Sequence, residues 1–464
     1  MSSEPSAVGA RHEMAHPNLA GRDQTAIRRD VLRLALPAMG EQLLSMMVGI
    51  VDTFLVGHLG AAPLAAVGLA NQWVFMTMTL FGAIATGSTA LIARFIGARQ
   101  PEQADQVLRQ SILLGALIGL LATGLGVSLA RPAVLLLGAP PDVIGLSSDY
   151  LRVVASIFFF STLMFIGNAS LRGAGDTRTP LYVMLVVNVL NIAVAWTAIN
   201  GPFGLPRLGV VGSALGAATG RLVGGLLVIA ILLRGRAGIR LRLSNLRPDW
   251  NMVRRILRVG LPTGLEQLLM RSGQMFFARI LAELGTVAYA ANQVAINALS
   301  ISFMPGFGFA LAATTLVGQG LGARDPEGAQ QRGYTAYRLG AGVMIAIGLG
   351  IVLFPGQLMG FFTDEAQVIA QGVTPLRVVG LIQPLLAAAM IFAGALRGAG
   401  DTRFPMAVTG STIWLVRVPL AYLLALALGW GLVGAWSAMA CDLTLRGVFN
   451  FFRFRSGRWK KIEV

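Results

Sequence analysis

The apolar residues of this chain do not alternate with polar ones at helical or strand spacing. They come in long runs, each closed by a short polar segment. Twelve runs occur, at 31–57, 63–93, 106–130, 145–170, 180–200, 209–233, 254–281, 286–320, 333–354, 368–395, 405–428 and 430–452. A helix needs about 20 apolar residues to cross the hydrocarbon of a bilayer. Backbone in lipid must satisfy its own hydrogen bonds, and these runs are too long for barrel strands. The pattern predicts an all-α polytopic membrane protein with twelve transmembrane helices.

The composition agrees. Hydrophobic residues make up 55% of the 464 positions and charged residues only 12%, whereas a soluble protein carries about 25%. The net charge of +16 does not point to nucleic acid, because the basic residues sit in short loops between the apolar runs. They alternate in side. The N-terminal segment, the loop between spans two and three, the six–seven connection and the C-terminus are arginine-rich; Arg234, Arg236, Arg240, Arg242 and Arg247 crowd the third of these. The positive-inside rule places both termini in the cytoplasm and the protein in the cell's inner or plasma membrane. Residues 1–30 read as a cytoplasmic tail without the pattern of a cleaved signal. Cys441 is the single cysteine, and His12, His16 and His58 are the only histidines, so neither a disulfide nor a metal cluster is expected.

The chain is also doubled. "SLRGAGDTRTP" at 170–180 returns as "ALRGAGDTRFP" at 395–405, an offset of 225. The same offset relates Pro37 to Pro262, Glu41 to Glu266, and "IGARQP" at 96–101 to "LGARDP" at 321–326. Later it becomes 222, as "GVVGSA" at Gly209 matches "GLVGAW" at Gly431. Each half holds six spans, so both enter the membrane from the same side, and their pseudo-two-fold axis runs along the membrane normal. The expected layout is a first lobe at 31–233, a basic cytoplasmic linker at 234–253, a second lobe at 254–452 and a basic tail at 453–464. Two such lobes make a central cleft, and rocking gives alternating access. The doubled stretch itself reads as a turn between spans four and five, and again between ten and eleven, with Asp176 and Asp401 capping or pairing locally with Arg178 and Arg403.

Together, "LPAMGEQLL…GIVDTFLVGHLG" in span one, "LVGQGLGA" ending span eight and the doubled "LRGAGDTR" resemble the multidrug and toxic compound extrusion (MATE) transporters. The likeness covers about residues 28–455 and is nearest to the bacterial branch named after DNA-damage-inducible protein F. It implies a non-enzymatic, monomeric exporter of small organic, often cationic, amphipathic compounds, moving among membrane lipids. Inward flow of protons or sodium ions would drive it, with no other cofactor.

An ionisable group at membrane depth costs about 2.5–3.5 kcal/mol on insertion scales, so each needs a reason. Asp52 has no charged counterpart in the second half, where Phe277 stands, and the resemblance places the family's coupling carboxylate there. Burial disfavours the charged form of a carboxylate, so protonation is available as a coupling step. On span five, Asn188 and Asn191 are amides at depth; the resemblance implies an aspartate four residues after Asn191, where this chain has Ala195. One possible oxygen ligand for sodium is thus missing, which favours the proton. Glu41 shares a helix face with Asp52 about 16 Å away; it and its copy Glu266 are either structural or face the substrate. The span-seven glutamate of some relatives falls on Met270 here. Arg271, Arg279, Glu283, Arg417, Asp442 and Arg446 read as second-lobe charge pairs, with Arg417 able to reach Asp442 from the adjacent helix and Arg271 able to meet an anionic group on a substrate. Met46, Phe159, Met304 and Phe307, with Met270, are candidates for a cavity that accepts varied ligands. Pro37, Pro262 and Pro305 are candidate helix-bending positions. One rival is a flippase for lipid-linked oligosaccharides from the same superfamily, which needs more cationic groups. Another is an integral-membrane prenyl transferase, which needs clustered aspartates that this chain lacks.

Overall fold

The computed structural model describes residues 24–202, 206–243 and 247–462. Among them are twelve membrane-length helical rods and no strand; a lone antiparallel bridge joins Arg236 to Ile239. The first lobe holds Gln24–Gly57, Ala61–Gly97, Pro101–Ser128, the pair Pro141–Ala155 and Phe158–Gly173, Arg178–Asn200, and Val210–Arg234. The second holds Trp250–Glu283, Thr286–Gly322, Pro326–Leu353, the pair Ala366–Leu381 and Gln383–Gly398, Arg403–Ala427, and Gly431–Arg455. These are spans one to twelve. Ten of them are apolar enough to cross a bilayer by composition, with each bent pair taken as one span. The other two, seven and twelve, carry the charges Glu266, Arg271, Asp442 and Arg446 inside otherwise apolar helices.

Local chemistry sets the helix ends. Pro101 and Pro326 begin spans three and nine, where a missing N–H is no loss. Asp249 and Asp325 cap spans seven and nine; the Asp325 carboxylate accepts the Gly328 N–H at 2.8 Å. The doubled turn closes at Gly175 and Gly400, with φ of 91° and 88°, a conformation open to glycine.

Within each lobe the packing repeats: two lies on three and four, four on six, one on five, and correspondingly eight on nine and ten, ten on twelve, seven on eleven. Between lobes, one packs on eight and two on seven and eight. This interface is tight at the basic-loop end. Gly97 packs on the Gln319 backbone and Gly322 on the Arg94 backbone. These are the same contact seen from either side of the pseudo-axis, since Arg94 and Gln319, like Gly97 and Gly322, are 225 apart. Gly260 on Ala83 and Gly308 on Ala35 form a second symmetric pair. Thr315 Oγ1 adds a cross-lobe hydrogen bond to the Arg172 carbonyl at 2.9 Å. Close backbone approach through small residues is how helices associate in lipid. At the other end of spans one, two, seven and eight, Met46, Phe54, Phe75, Met275 and Phe307 are exposed.

Spans one, seven and eight run through Pro37, Pro262 and Pro305 without a break; the broken spans are four, bent by 53°, and ten, bent by 57° just before Pro384. A proline's lost hydrogen bond does not by itself break a helix whose neighbours hold it. The tail at 1–30 ends earlier, because Gln24 already opens span one; residues 1–23 lie outside those described. The linker and the C-terminal segment are both docked: Ile239 and Leu241 of the linker are buried in the first lobe, and Trp459 is fully buried against Phe454.

Candidate functional site

The doubled motif makes a doubled ion pair. Arg172 Nη1 donates to Glu41 Oε1 at 2.6 Å, across 131 residues. Arg397 Nη2 donates to both Glu266 oxygens at 2.8 and 2.9 Å, again across 131 residues. Thr409 Oγ1 donates to Glu266 as well, at 2.9 Å. Each glutamate therefore reaches back from span one or seven to the end of span four or ten, and its charge is met within its own lobe. Asp176 caps the following turn locally, as expected, but neither Asp176 nor Asp401 pairs with the guanidinium group of its neighbour, Arg178 or Arg403. Asp176 accepts the Arg178 and Thr179 backbone N–H groups and pairs with Arg236 at 3.0 Å, while Asp401 pairs with Arg453 at 2.7 Å. The helix ends bring these distant arginines over the turn, and a sequence neighbour on the helix points elsewhere.

Asp52 is buried in the half of span one away from the basic-loop end. Facing it are Asn191 of span five, Arg221 of span six and Tyr150 of span four. Asp52 Oδ1, both amide atoms of Asn191, Asn188 Oδ1 and Arg221 Nη1 are buried without a hydrogen-bond partner. Asn188 Nδ2 is used, donating to the Met184 carbonyl at 2.8 Å. Gly216 and Gly220 let span six lie directly on the Asn191 stretch of span five, which brings Arg221 to this depth. The arrangement is a carboxylate and a guanidinium close enough to attract each other without a direct salt bridge, with the Asn191 amide beside the carboxylate. Arg221 and Tyr150 escaped the sequence reading. Arg221 carries the same signal as Asp52, a charge inside an apolar run, in "TGRLVGG". Tyr150 carries none.

The pocket has no copy. The second-lobe equivalents of Asp52, Asn188, Asn191 and Arg221 are Phe277, Ile413, Val416 and Leu443. Instead, Arg417 of span eleven reaches Asp442 of span twelve at 2.7 Å, as expected, and Arg446 takes the same carboxylate at 2.8 Å. Arg279 and Glu283 form an exposed pair at 3.4 Å. Arg271 has no carboxylate; its guanidinium lies 5.4 Å from the Phe75 ring centroid in the opposite lobe. Of the cavity candidates, Met46 and Phe307 are exposed and Met270 and Met304 half-buried. Phe159 is half-buried, packed against the first-lobe core with its ring edge-on to Phe160. No group of three or more His, Cys, Asp or Glu side chains capable of holding a metal occurs among the described residues.

The chain was compared with known proteins. The MatE family model matches it twice, over residues 37–197 and 262–423, which are the two halves of the repeat. A probable multidrug resistance protein NorM of Thermotoga maritima is 35% identical over 98% of both chains. Another probable NorM, from Rhizobium meliloti, is 32% identical over 92% of both. Among solved structures, a multidrug resistance MATE family transporter of the MOP superfamily in its outward-facing conformation superimposes with a TM-score of 0.86 at 26% identity, covering 93% of this chain and 95% of that one. A MATE P26A mutant gives a TM-score of 0.87 at 25% identity, over 94% and 96%. With a twelve-helix, two-lobe fold and both halves of the repeat matched, the chain belongs to the MatE family of multi-pass membrane transporters.

Proposed function

We propose that this protein is a secondary active exporter of small amphipathic organic compounds, an antiporter driven by protons entering through Asp52. The observation that carries the reading is the Asp52 pocket: a buried carboxylate with unsatisfied amides and a nearby guanidinium, present in the first lobe and not in the second. Symmetric features such as the Glu–Arg pairs serve the architecture of both lobes. A feature confined to one lobe breaks the symmetry and is suited to coupling. Multidrug resistance relatives of near-identical length support the export reading. Protons are favoured over sodium for two reasons. Ala195 supplies no second carboxylate, and the Arg221 guanidinium opposes a second cation beside Asp52. The basic-loop end is taken as cytoplasmic; closed there, the protein stands outward-open. A proton taken up by Asp52 removes its charge, weakens its attraction to Arg221 and releases a bound cation. The lobes then rock to the inward-open state, where the proton leaves.

The test is dye efflux from proteoliposomes, wild type against Asp52→Asn, with a proton or a sodium gradient imposed separately. Proton-driven efflux lost in the variant is expected. Sodium-driven efflux in the wild type would reassign the ion. Undiminished efflux in the variant would remove Asp52 from the mechanism. Failure of wild type to move any cationic dye would favour a flippase.

A further inference from the structure

The two lobes differ in the buried polar atoms they leave unpartnered around corresponding positions. Around Asp52 these are three acceptors, Asp52 Oδ1 and the Oδ1 atoms of Asn188 and Asn191, beside two donors, Asn191 Nδ2 and Arg221 Nη1. In the second lobe, Arg417 stands over Phe277, the counterpart of Asp52, with its guanidinium carbon 5.8 Å from the ring centroid. Arg417 and Arg446 share the single carboxylate of Asp442, and all three side chains are buried. Thr412 Oγ1 is the only other partner shown for Arg446, at 3.1 Å, and it is neutral. One positive charge is thus left without a counter-charge inside a membrane span, where charges are ordinarily paired.

The atoms left over here are donors. Arg417 Nε and Trp414 Nε1 are buried without a hydrogen-bond partner, and neither type of atom can accept. Both lie on or beside a π-helical turn, Ile413–Arg417, a distortion frequent at functional sites. The cluster connects to the lobe interface through span seven. Gly273 packs against Ile413, Phe276 meets the Trp414 ring edge-on at 5.1 Å, and the exposed Arg271 two residues before Gly273 faces Phe75 of the first lobe.

We propose that this face of the second lobe is a subsite for an anionic oxygen group, a carboxylate carried by the transported compound. Trp414 Nε1 and Arg417 Nε receive it, and Arg271 guides it from the cleft. The preferred cargo is then zwitterionic, its amine left to the first lobe. The inference rests on the export reading above. A carboxylate in this place supplies the missing counter-charge and the acceptors for both idle donors, which no purely cationic compound does.

The probes are a cationic xanthene dye bearing a free benzoic acid and the methyl ester of the same dye. Their efflux kcat/KM values are compared in proteoliposomes under a proton gradient. The acid-to-ester ratio is expected to fall about tenfold in Arg417→Gln, the loss of a charge-assisted hydrogen bond, and several-fold in Trp414→Phe, which keeps the ring and removes only the N–H. Trp414→Phe carries the test if Arg417→Gln does not fold. A ratio unchanged in every variant that folds, whatever the absolute rates, overturns the subsite and leaves the export reading standing. A wild type that moves neither dye overturns the export reading, and this inference with it.

Discussion

The symmetric glycine contact at the basic-loop end predicts which state a single methyl group will disfavour. A Cβ on Gly322 would lie 2.8 Å from the Arg94 carbonyl carbon and 2.9 Å from the Ala98 nitrogen, and one on Gly97 would lie 2.7 Å from the Gln319 carbonyl carbon. Carbon atoms in good contact sit about 3.5–4.0 Å apart, and the obstacles here are backbone, which cannot rotate away. Overpacking of this kind costs about 1–3 kcal/mol per site. The cost falls only on the state in which these ends touch. A shift of about 2 kcal/mol changes a two-state ratio about 30-fold. Gly97→Ala and Gly322→Ala, singly and together, should therefore favour separation of the basic-loop ends. Spin labels at Gln103 and Gln331, in a Cys441→Ser background, report that separation by pulsed dipolar spectroscopy. The expected result is a longer-distance population that grows from single to double variant. Gly57→Ala, which meets nothing within 4 Å, is the control and should leave the distances alone. An unchanged distribution in the double variant would refute the reasoning, because the contact would then not be what closes this end.

Three further outcomes follow from the ion pairs and the termini. Glu266→Gln leaves Arg397 half-buried without its carboxylate and is expected to cost about 3 kcal/mol. A thermal-stability cycle should show that adding Arg397→Gln restores part of the loss. Burial pushes the Asp176 carboxyl up, but hydrogen bonds from Thr179 and the Arg236 guanidinium outweigh it and hold the group below its ordinary value of 3.8. Such a group contributes stability above its unfolded pKa and loses it as pH falls through the folded one. Asp176→Asn should therefore lower the Tm at pH 7, and the gap to wild type should close below about pH 4. Truncation after Gly457 removes the Trp459 ring stacked on Phe454, 4.8 Å between centroids, and the Ile462 carbonyl that accepts from Arg94 of the first lobe at 2.9 Å. The Gln103–Gln331 distance should lengthen; no change would mean that the segment does not hold the lobes together.

Span number, the two lobes and the isolation of Asp52 were all legible in the sequence, for one reason. Lipid demands long apolar runs, and any charge inside one stands out, while gene duplication leaves a fixed offset against which an unmatched residue shows. The Arg417–Asp442–Arg446 group was legible in the same way. The pairing of Glu41 with Arg172 and of Glu266 with Arg397 had a signal, since all four residues are doubled, but its geometry did not. Helix rotation is what the sequence left open. In a soluble protein, polar residues mark the outward face of a helix; in lipid both faces are apolar, so nothing along span six says that Arg221 turns toward Asp52. Nor does the chain mark which helix end will carry Arg236 over Asp176 in preference to the adjacent Arg178. The sharp breaks fell within spans four and ten; the one in span ten comes just before Pro384, and the one in span four has no proline to mark it. Membrane chemistry and duplication determined the frame from the sequence alone; the facing of each buried charge was settled only when twelve helices packed.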